Sequence, residues 1–262
     1  MEPLKVAVVT GGSRGIGLAV IDRFLQEEDW RVVSIDIRPV GRQRERVRAV
    51  CADVANPEAV GEAFESVAAM EGEITALVNN AGVQRVALSH VMTVESWQEV
   101  ISTNLTGPFL CSRQAVPLLR SPGAAIVNVS SVASQLGLSG RGPYCSAKAG
   151  LLGLTRVMAV ELAKRGVRVN AVAPGFTRTE LIAQGIQNGS LQEEWMTRQV
   201  PMARLAEPSE VAAVVYFLCS TEASFITGQC VVVDGGWSVQ GLPEVPDWLD
   251  TETLNGMAAG SC

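Results

Sequence analysis

The chain has 262 residues, of which 47% are hydrophobic and 18% charged, and its formal net charge is −6. That balance belongs to a globular protein able to bury a core, and the acidity excludes the basic footprint required by nucleic acid or an anionic membrane surface. A single histidine, His90, excludes His-rich metal centres and His-dependent triads within one chain, so no metal site is expected.

In chain order, apolar β-branched runs recur at "VAVVT", "RVVSID", "ALVNN", "AIVNVSS", "VRVNAVAP" and "CVVVDGG". They are continuous rather than alternating, as in strands buried on both faces of a parallel sheet. Helical spacing fills the intervals, in "GLAVIDRFLQEE", "PEAVGEAFESVAAM" and "SAKAGLLGLTRVMAVELAKRG". Asn56-Pro57-Glu58 and Glu207-Pro208-Ser209-Glu210 read as helix starts. Lys164-Arg165-Gly166 reads as a stop, with cations against the dipole and then a residue free to take positive φ. The alternation implies right-handed βαβ crossovers. The fold class is therefore α/β, one Rossmann-type doubly wound parallel sheet of about seven strands with helices on both faces. One domain is expected over 1–240. The excursion at 176–207 serves as a substrate lid, and 241–262 forms a tail in which Trp248 and Leu249 dock. The arginine-rich stretch "GRQRERVR" (Arg42, Arg44, Arg46, Arg48) reads as a solvated loop or helix face.

The six cysteines form no C-x-x-C pair and have apolar neighbours, so they read as reduced thiols in a reducing compartment. The opening "MEPLKVAVVTGG" becomes strand-like too early for a signal peptide, and no apolar run reaches membrane length. A cytoplasmic protein is expected.

Chemistry concentrates at strand ends. "VVTGGSRGIG" sets Gly11, Gly15 and Gly17 between the first strand and the first helix, where backbone N–H groups and the positive helix end face a pyrophosphate. The second strand ends at Asp36, whose carboxylate accepts ribose hydroxyls and repels a 2′-phosphate, so NAD is expected over NADP; Arg14 and Arg38 are the residues that favour the alternative. Asp53 and Val54 follow the third strand and frame the adenine, and the small residues of "NNAG" admit the ribose. The chain has two tyrosines and three lysines, yet Tyr144 and Lys148 stand four apart at a helix start. That spacing puts them on one face. A nearby ammonium lowers a phenol's pKa, which makes Tyr144 a proton donor and acceptor near neutral pH. Ser130, Ser131 and Asn104 add polar groups at the same end.

These motifs in order, TG-x-x-x-G-x-G at 10–17, "NNAG", "TNLTG", Ser131, Y-x-x-x-K at 144–148, "PG" at 174–175 and "DGG" at 234–236, resemble the classical short-chain dehydrogenase/reductase family over residues 4 to about 238. The resemblance implies that Tyr144 is the general acid/base and that Lys148 binds the nicotinamide ribose and acidifies the tyrosine. It gives the substrate oxygen to Ser131 rather than Ser130, by its spacing from Tyr144, and gives Asn104 a water-linked proton path to Lys148. It adds Ser13, Ile16, Ile37, Asn80, Ala81, Gly82, Pro174 and Gly175 to the cofactor contacts. It also implies a contact from Thr179, or alternatively Thr177, to the nicotinamide carboxamide. A homotetramer is implied as well.

Substrate walls are expected from Gln84, Arg85 and Gln135, and from Glu180, Gln184 and Asn188 of the lid. Neutral hydrogen-bonding groups suit a small hydroxylated molecule, and the stretch around "NNAGVQRV" resembles sugar and polyol members such as glucose 1-dehydrogenases. Arg85 points to an anionic sugar or hydroxy acid. A 3-oxoacyl reductase is the alternative within the class, although biosynthetic reduction usually draws on NADPH. A nucleotide-binding scaffold without turnover is the alternative outside it.

Overall fold

Seven parallel strands among the described residues are ordered β3-β2-β1-β4-β5-β6-β7. The structure is a computed structural model and describes residues 4–38, 44–187, 189 and 191–241. Arg42, Asn188 and the tail beyond Gly241, with Trp248 and Leu249, lie outside the described residues. The strands are β1 (Lys5–Thr10), β2 (Trp30–Asp36), β3 (Val47–Cys51), β4 (Ala76–Asn79), β5 (Ala125–Val129), β6 (Arg168–Pro174) and β7 (Cys230–Val233). The helices are α1 (Gly15–Leu25), α2 (Pro57–Glu71), α3 (Val94–Ile101), α4 (Gly107–Ala115), α5 (Gly142–Leu162), α6 (Glu180–Gln187), α7 (Glu193–Arg198) and α8 (Pro208–Cys219). The excursion at 176–207 carries α6 and α7.

The continuous apolar runs are explained by a core on each face of the sheet. In β1, Val6 and Val8 face the layer formed with α2, α4 and α5. Ala7 and Val9 face the layer formed with α1 and α8. Successive side chains of a strand point to opposite faces, so a strand covered on both sides has no polar positions to alternate. Phe24 of α1 is fully buried, with Trp30 and Tyr216 at ring distances of 4.6 and 5.4 Å. A side chain of that size contributes about 1.5–3 kcal/mol on burial.

The helix boundaries follow their local chemistry. Asn56 caps α2, its Oδ1 accepting from the N–H groups of Glu58 and Ala59. Glu210 reaches back to the N–H of Glu207 at the start of α8. Gly166, after a short 3-10 turn that follows α5, takes φ 68. Arg165 of that turn reaches across to the carbonyl of Val116 beyond α4.

The arginine-rich stretch departs from the expected solvated loop. Val47 and Arg48 belong to β3. Arg46 is half-buried and donates to the carbonyls of Leu25, Glu27 and Trp30 at 2.7, 2.6 and 2.9 Å. Those carbonyls end α1 and lead into β2, where a helix leaves its last acceptors unpaired. Arg44 pairs with Asp22, and Arg48 with Glu71, whose side chain also binds Arg31. Arg168 does the same at the end of α8, donating to Leu218 and Ser220. Replacing Arg46 by methionine is predicted to lower stability by about 1–3 kcal/mol by stranding these acceptors. Urea unfolding checks it: the midpoint falls while the slope stays that of the parent.

Candidate active site

The chain runs outward from β1 through β2 to β3, then returns to β4 on the other side of β1. The carboxyl ends of β1 and β4 therefore flank the point where strand order reverses, where open α/β sheets bind ligands. Both ends carry the motifs noted above.

At β1, Gly11 has φ 65, and a Cβ on it would stand 2.8 Å from the Cα of Ala81. A Cβ on Gly17 would lie 2.1 Å from the carbonyl oxygen of Gly11. Neither position tolerates a side chain. Gly15 has φ 56, and the first atom its Cβ would meet is Thr179 Cγ2 at 3.4 Å. The turn leads into α1, whose N-cap residue, the exposed Arg14, makes no side-chain cap and whose first turn holds no acid. An uncapped positive helix end behind a Cβ-free turn fits a phosphate group. Ile16 is half-buried and packs on the α1/α8 core.

Asp36 accepts the N–H of Ser13 at 2.9 Å and that of Arg38 at 3.0 Å, one on each oxygen. The carboxylate thus ties the glycine turn to β2 and keeps lone pairs for a ligand's hydroxyls. Ile37 beside it is 64% exposed, an apolar surface offered to a planar ring. Neither Arg14 nor Arg38 joins an ion pair among the described residues. Asp53 is exposed and accepts the N–H of Ala55, whereas the side chain of Val54 is buried against Gly107 and serves the core. Asn80 also faces inward, its amide donating to the carbonyls of Thr10 and Gly11. Thr10 Oγ1 in turn accepts from the N–H groups of Asn80 and Ala81. This lacing of β4 to the glycine turn was not foreseen for Thr10.

Pro174 ends β6, and Gly175 packs so closely on Asp234 that a Cβ would come within 2.8 Å. Thr177 is buried and bonds the carbonyl of Gly175. Thr179, which stands over Gly15, is half-buried.

At the chemical end, three successive residues of β5 and its extension grip α5. Asn128 Nδ2 donates to Thr155 Oγ1 at 2.9 Å. The carbonyl of Val129 accepts from Lys148 Nζ at 2.7 Å. Ser130 Oγ donates to the carbonyl of Lys148 at 3.1 Å. Ser130 is thereby committed to holding the helix; Ser131 Oγ accepts the N–H of Ala133 at 3.2 Å and lies near enough to the Tyr144 phenol to lower its pKa.

Asn104 lies in a π-helical segment, Ser102–Thr106, between α3 and α4. The altered register leaves the carbonyl of Val100 to Asn104 Nδ2 at 2.9 Å, and Val83 O is bonded at 2.8 Å; such segments recur at functional sites. Asn104 Oδ1 is buried without a partner among the described residues, and a Cβ on Gly82 would crowd it at 2.7 Å.

The electrostatics differ from expectation. Burial raises the pKa of Tyr144; the hydrogen bond from Ser131 and the charge of Arg141 lower it. Lys148 Nζ turns to the Val129 carbonyl and lies over the phenol ring, 5.7 Å from its centre. Burial brings Lys148 itself down to about 8. The spacing placed both residues on one face, but the ammonium took the nearest buried acceptor.

The expected substrate walls divide. Gln84 is half-buried and Gln135 exposed. Arg85 is exposed and pairs with Glu99 of α3 at 2.5 Å, which removes the free cation expected there. Glu180 and Gln184 bond each other along α6.

The fold and this edge define a dinucleotide-binding α/β protein with a phenol and an amine at its reactive end. A family described as Enoyl-(Acyl carrier protein) reductase matches residues 11–238. The chain belongs to the short-chain dehydrogenase/reductase family, oxidoreductases that bind a nicotinamide cofactor. It is similar to 3-oxoacyl-(acyl-carrier-protein) reductase FabG of Aquifex aeolicus, 37% identical over 248 residues, which are 88% of this chain and 96% of that protein. The FabG of Vibrio cholerae is 38% identical over 242 residues, again 88% and 96%. Among solved structures, Thermoplasma acidophilum aldohexose dehydrogenase (AldT) in ligand-free form superposes with a TM-score of 0.87 at 35% identity, over 94% of this chain and 98% of that one.

A buried ammonium predicts a pH signature in the cofactor-free protein. The folded-state pKa of Lys148, about 8, lies below that of an unfolded lysine. Between the two values the unfolded chain binds the extra proton, so this group's contribution to stability rises with pH across that window. Replacing Lys148 by methionine should abolish that increment, read as the difference in urea midpoint between pH 7.5 and pH 10.

Proposed function

We propose that the chain is an NAD-dependent dehydrogenase that interconverts a secondary alcohol or hemiacetal with a carbonyl on a small hydroxylated substrate, a sugar or polyol. The observation that carries this reading is the Tyr144 phenol, near Ser131 and one turn from buried Lys148, on the sheet edge that also bears the Cβ-free glycine turn. Bound nicotinamide supplies the hydride acceptor. Ser131 Oγ holds the substrate oxygen, and the Tyr144 oxygen takes its proton as the carbinol C–H leaves with its electron pair. Lys148 holds the nicotinamide ribose, and Asn104 Oδ1 anchors a water-linked path that returns the proton to solvent. Asp36 supports NAD, because a 2′-phosphate beside its carboxylate would set two anions together.

The substrate class is supported by neutral, half-buried Gln84 and by the likeness to aldohexose dehydrogenase. The relatives called 3-oxoacyl reductases favour a ketoreductase as the second reading. Sugars, polyols and β-hydroxyacyl thioesters, each assayed with NAD and NADP through the absorbance of the reduced cofactor, separate the two. NAD is expected to exceed NADP about tenfold or more in kcat/KM, a 1.4 kcal/mol preference. Tyr144→Phe should lower kcat by about 10²–10⁴-fold and still bind NADH. Unchanged turnover in that variant would remove Tyr144 from the chemistry, and a parent with NADH binding but no turnover on any substrate would favour a scaffold.

The domain extends over 1–240, with 176–207 as a lid tied down by Arg178 to Glu193 and Glu207. The cysteines described are all unpaired, in keeping with a reducing cytoplasm. The assembly is a homotetramer: α4 and α5 expose Phe109, Val157 and Val160, and Phe225 is fully exposed before β7. Analytical ultracentrifugation at micromolar concentration should find four copies, and a monomer alone would refute the assembly.

A further inference from the structure

Arg141 occupies the N-cap position of α5, three residues before Tyr144. The residue is half-buried, and its guanidinium has neither a carboxylate nor a hydrogen-bond acceptor among the described residues. Arg85 pairs with Glu99, Arg178 with Glu193 and Glu207, and Arg204 with Glu210, whereas Arg141, like Arg14 and Arg38 at the cofactor end, joins no ion pair among the described residues. The local setting worsens its isolation. A cation is unfavourable at the positive end of a helix, and α5, 21 residues long, has no side-chain cap and no acid in its first turn.

The backbone around Arg141 is fixed. Its N–H bonds the carbonyl of Leu138, Gly140 O accepts the N–H of Ala87, and Ala87 and Arg141 are bridged. On the next residue, a Cβ on Gly142 would meet Ser89 and Trp97. The segment from Gln84 to Ala87 therefore runs beside the turn that presents Arg141. A half-buried charge without a partner is costly, and an anion delivered by a ligand removes that cost.

We propose that Arg141 recognises an anionic group on the substrate, so that the chain oxidises hydroxy acids or sugar acids rather than neutral sugars. The inference rests on the dehydrogenase reading and replaces its neutral substrate with an acid. The N-cap position brings the guanidinium near enough to the Tyr144 phenol for its charge to act on it, so an anion held there lies on the same substrate as a carbinol at Tyr144.

Two matched pairs test this: 3-hydroxybutyrate against butane-1,3-diol, and galacturonate against galactose. Each is assayed with NAD and NADP in the parent, in Arg141→Gln and in Arg141→Lys, after thermal melting has shown that the variants fold. The parent should favour the acid of at least one pair about tenfold or more in kcat/KM. Arg141→Gln should cut that preference by a similar factor, mainly through KM for the acid, and Arg141→Lys should restore part of it. Oxidation of the neutral members alone, or a preference for acid that survives Arg141→Gln, would overturn the inference and leave the dehydrogenase standing. A parent that reduces neither cofactor with any of the four compounds would overturn both.

Discussion

The hydrogen bond from Lys148 Nζ to the carbonyl of Val129 fixes the reactive end of this molecule. Lys148 is 3% exposed and has no carboxylate partner among the described residues. A buried ammonium needs a compensating acceptor, and the carbonyl at the end of β5 supplies one. The flanking bonds from Asn128 to Thr155 and from Ser130 to the Lys148 carbonyl hold the same helix at three points. α5 therefore has little freedom to slide along β5, and Tyr144, one turn earlier, is aimed by that constraint. Ser131 follows directly on the gripping residues, so the hydroxyl and the phenol are positioned by one strand end.

The charges of the site are arranged by sign. Lys148 and Arg141 are cations at the chemical end, and Asp36 is an anion at the far end, beyond the neutral glycine turn. Burial pushes the phenol up and the amine down, each toward its uncharged form. Lowering the phenol therefore falls to Ser131 and Arg141 in the free chain. Cys111 and Cys219, which burial raises to about 12, take no part in this chemistry and pack as small apolar groups.

The two-sided burial of the sheet was legible because it leaves an unbroken mark, strands with no polar alternation. The glycine turn, the cap at Asn56 and the positive-φ stop at Gly166 were legible because each depends on local geometry alone. Four features were not. The arginines around β3 find their partners only through tertiary folding. Arg85 and Arg141 look alike as letters; Glu99, fourteen residues beyond Arg85, neutralises one of them. The Tyr144–Lys148 spacing specifies a shared face but not which acceptor the ammonium chooses. The π-helical register at "STNLT" leaves no compositional trace, although it decides where Asn104 points.

One polar pair connects the two ends of the site. Asn79 and Asn128 are register partners on β4 and β5, and Asn79 Nδ2 donates to Asn128 Oδ1 at 2.8 Å and to Ser112 at 3.0 Å. All three residues are fully or nearly fully buried, within an otherwise apolar layer. An apolar pair would pack as well in several registers, but displaced amides would be left without partners, and that penalty attaches to every alternative alignment. The residue after Asn79 is Asn80, which holds the glycine turn; the residues after Asn128 are Val129 and Ser130, which hold Lys148. A slip of one position between these strands would carry the cofactor end past the chemical end by about 3.3 Å, more than hydride transfer between aligned atoms tolerates. The buried amides therefore fix the spacing between the glycine turn held by Asn80 and the Lys148 ammonium held by Val129.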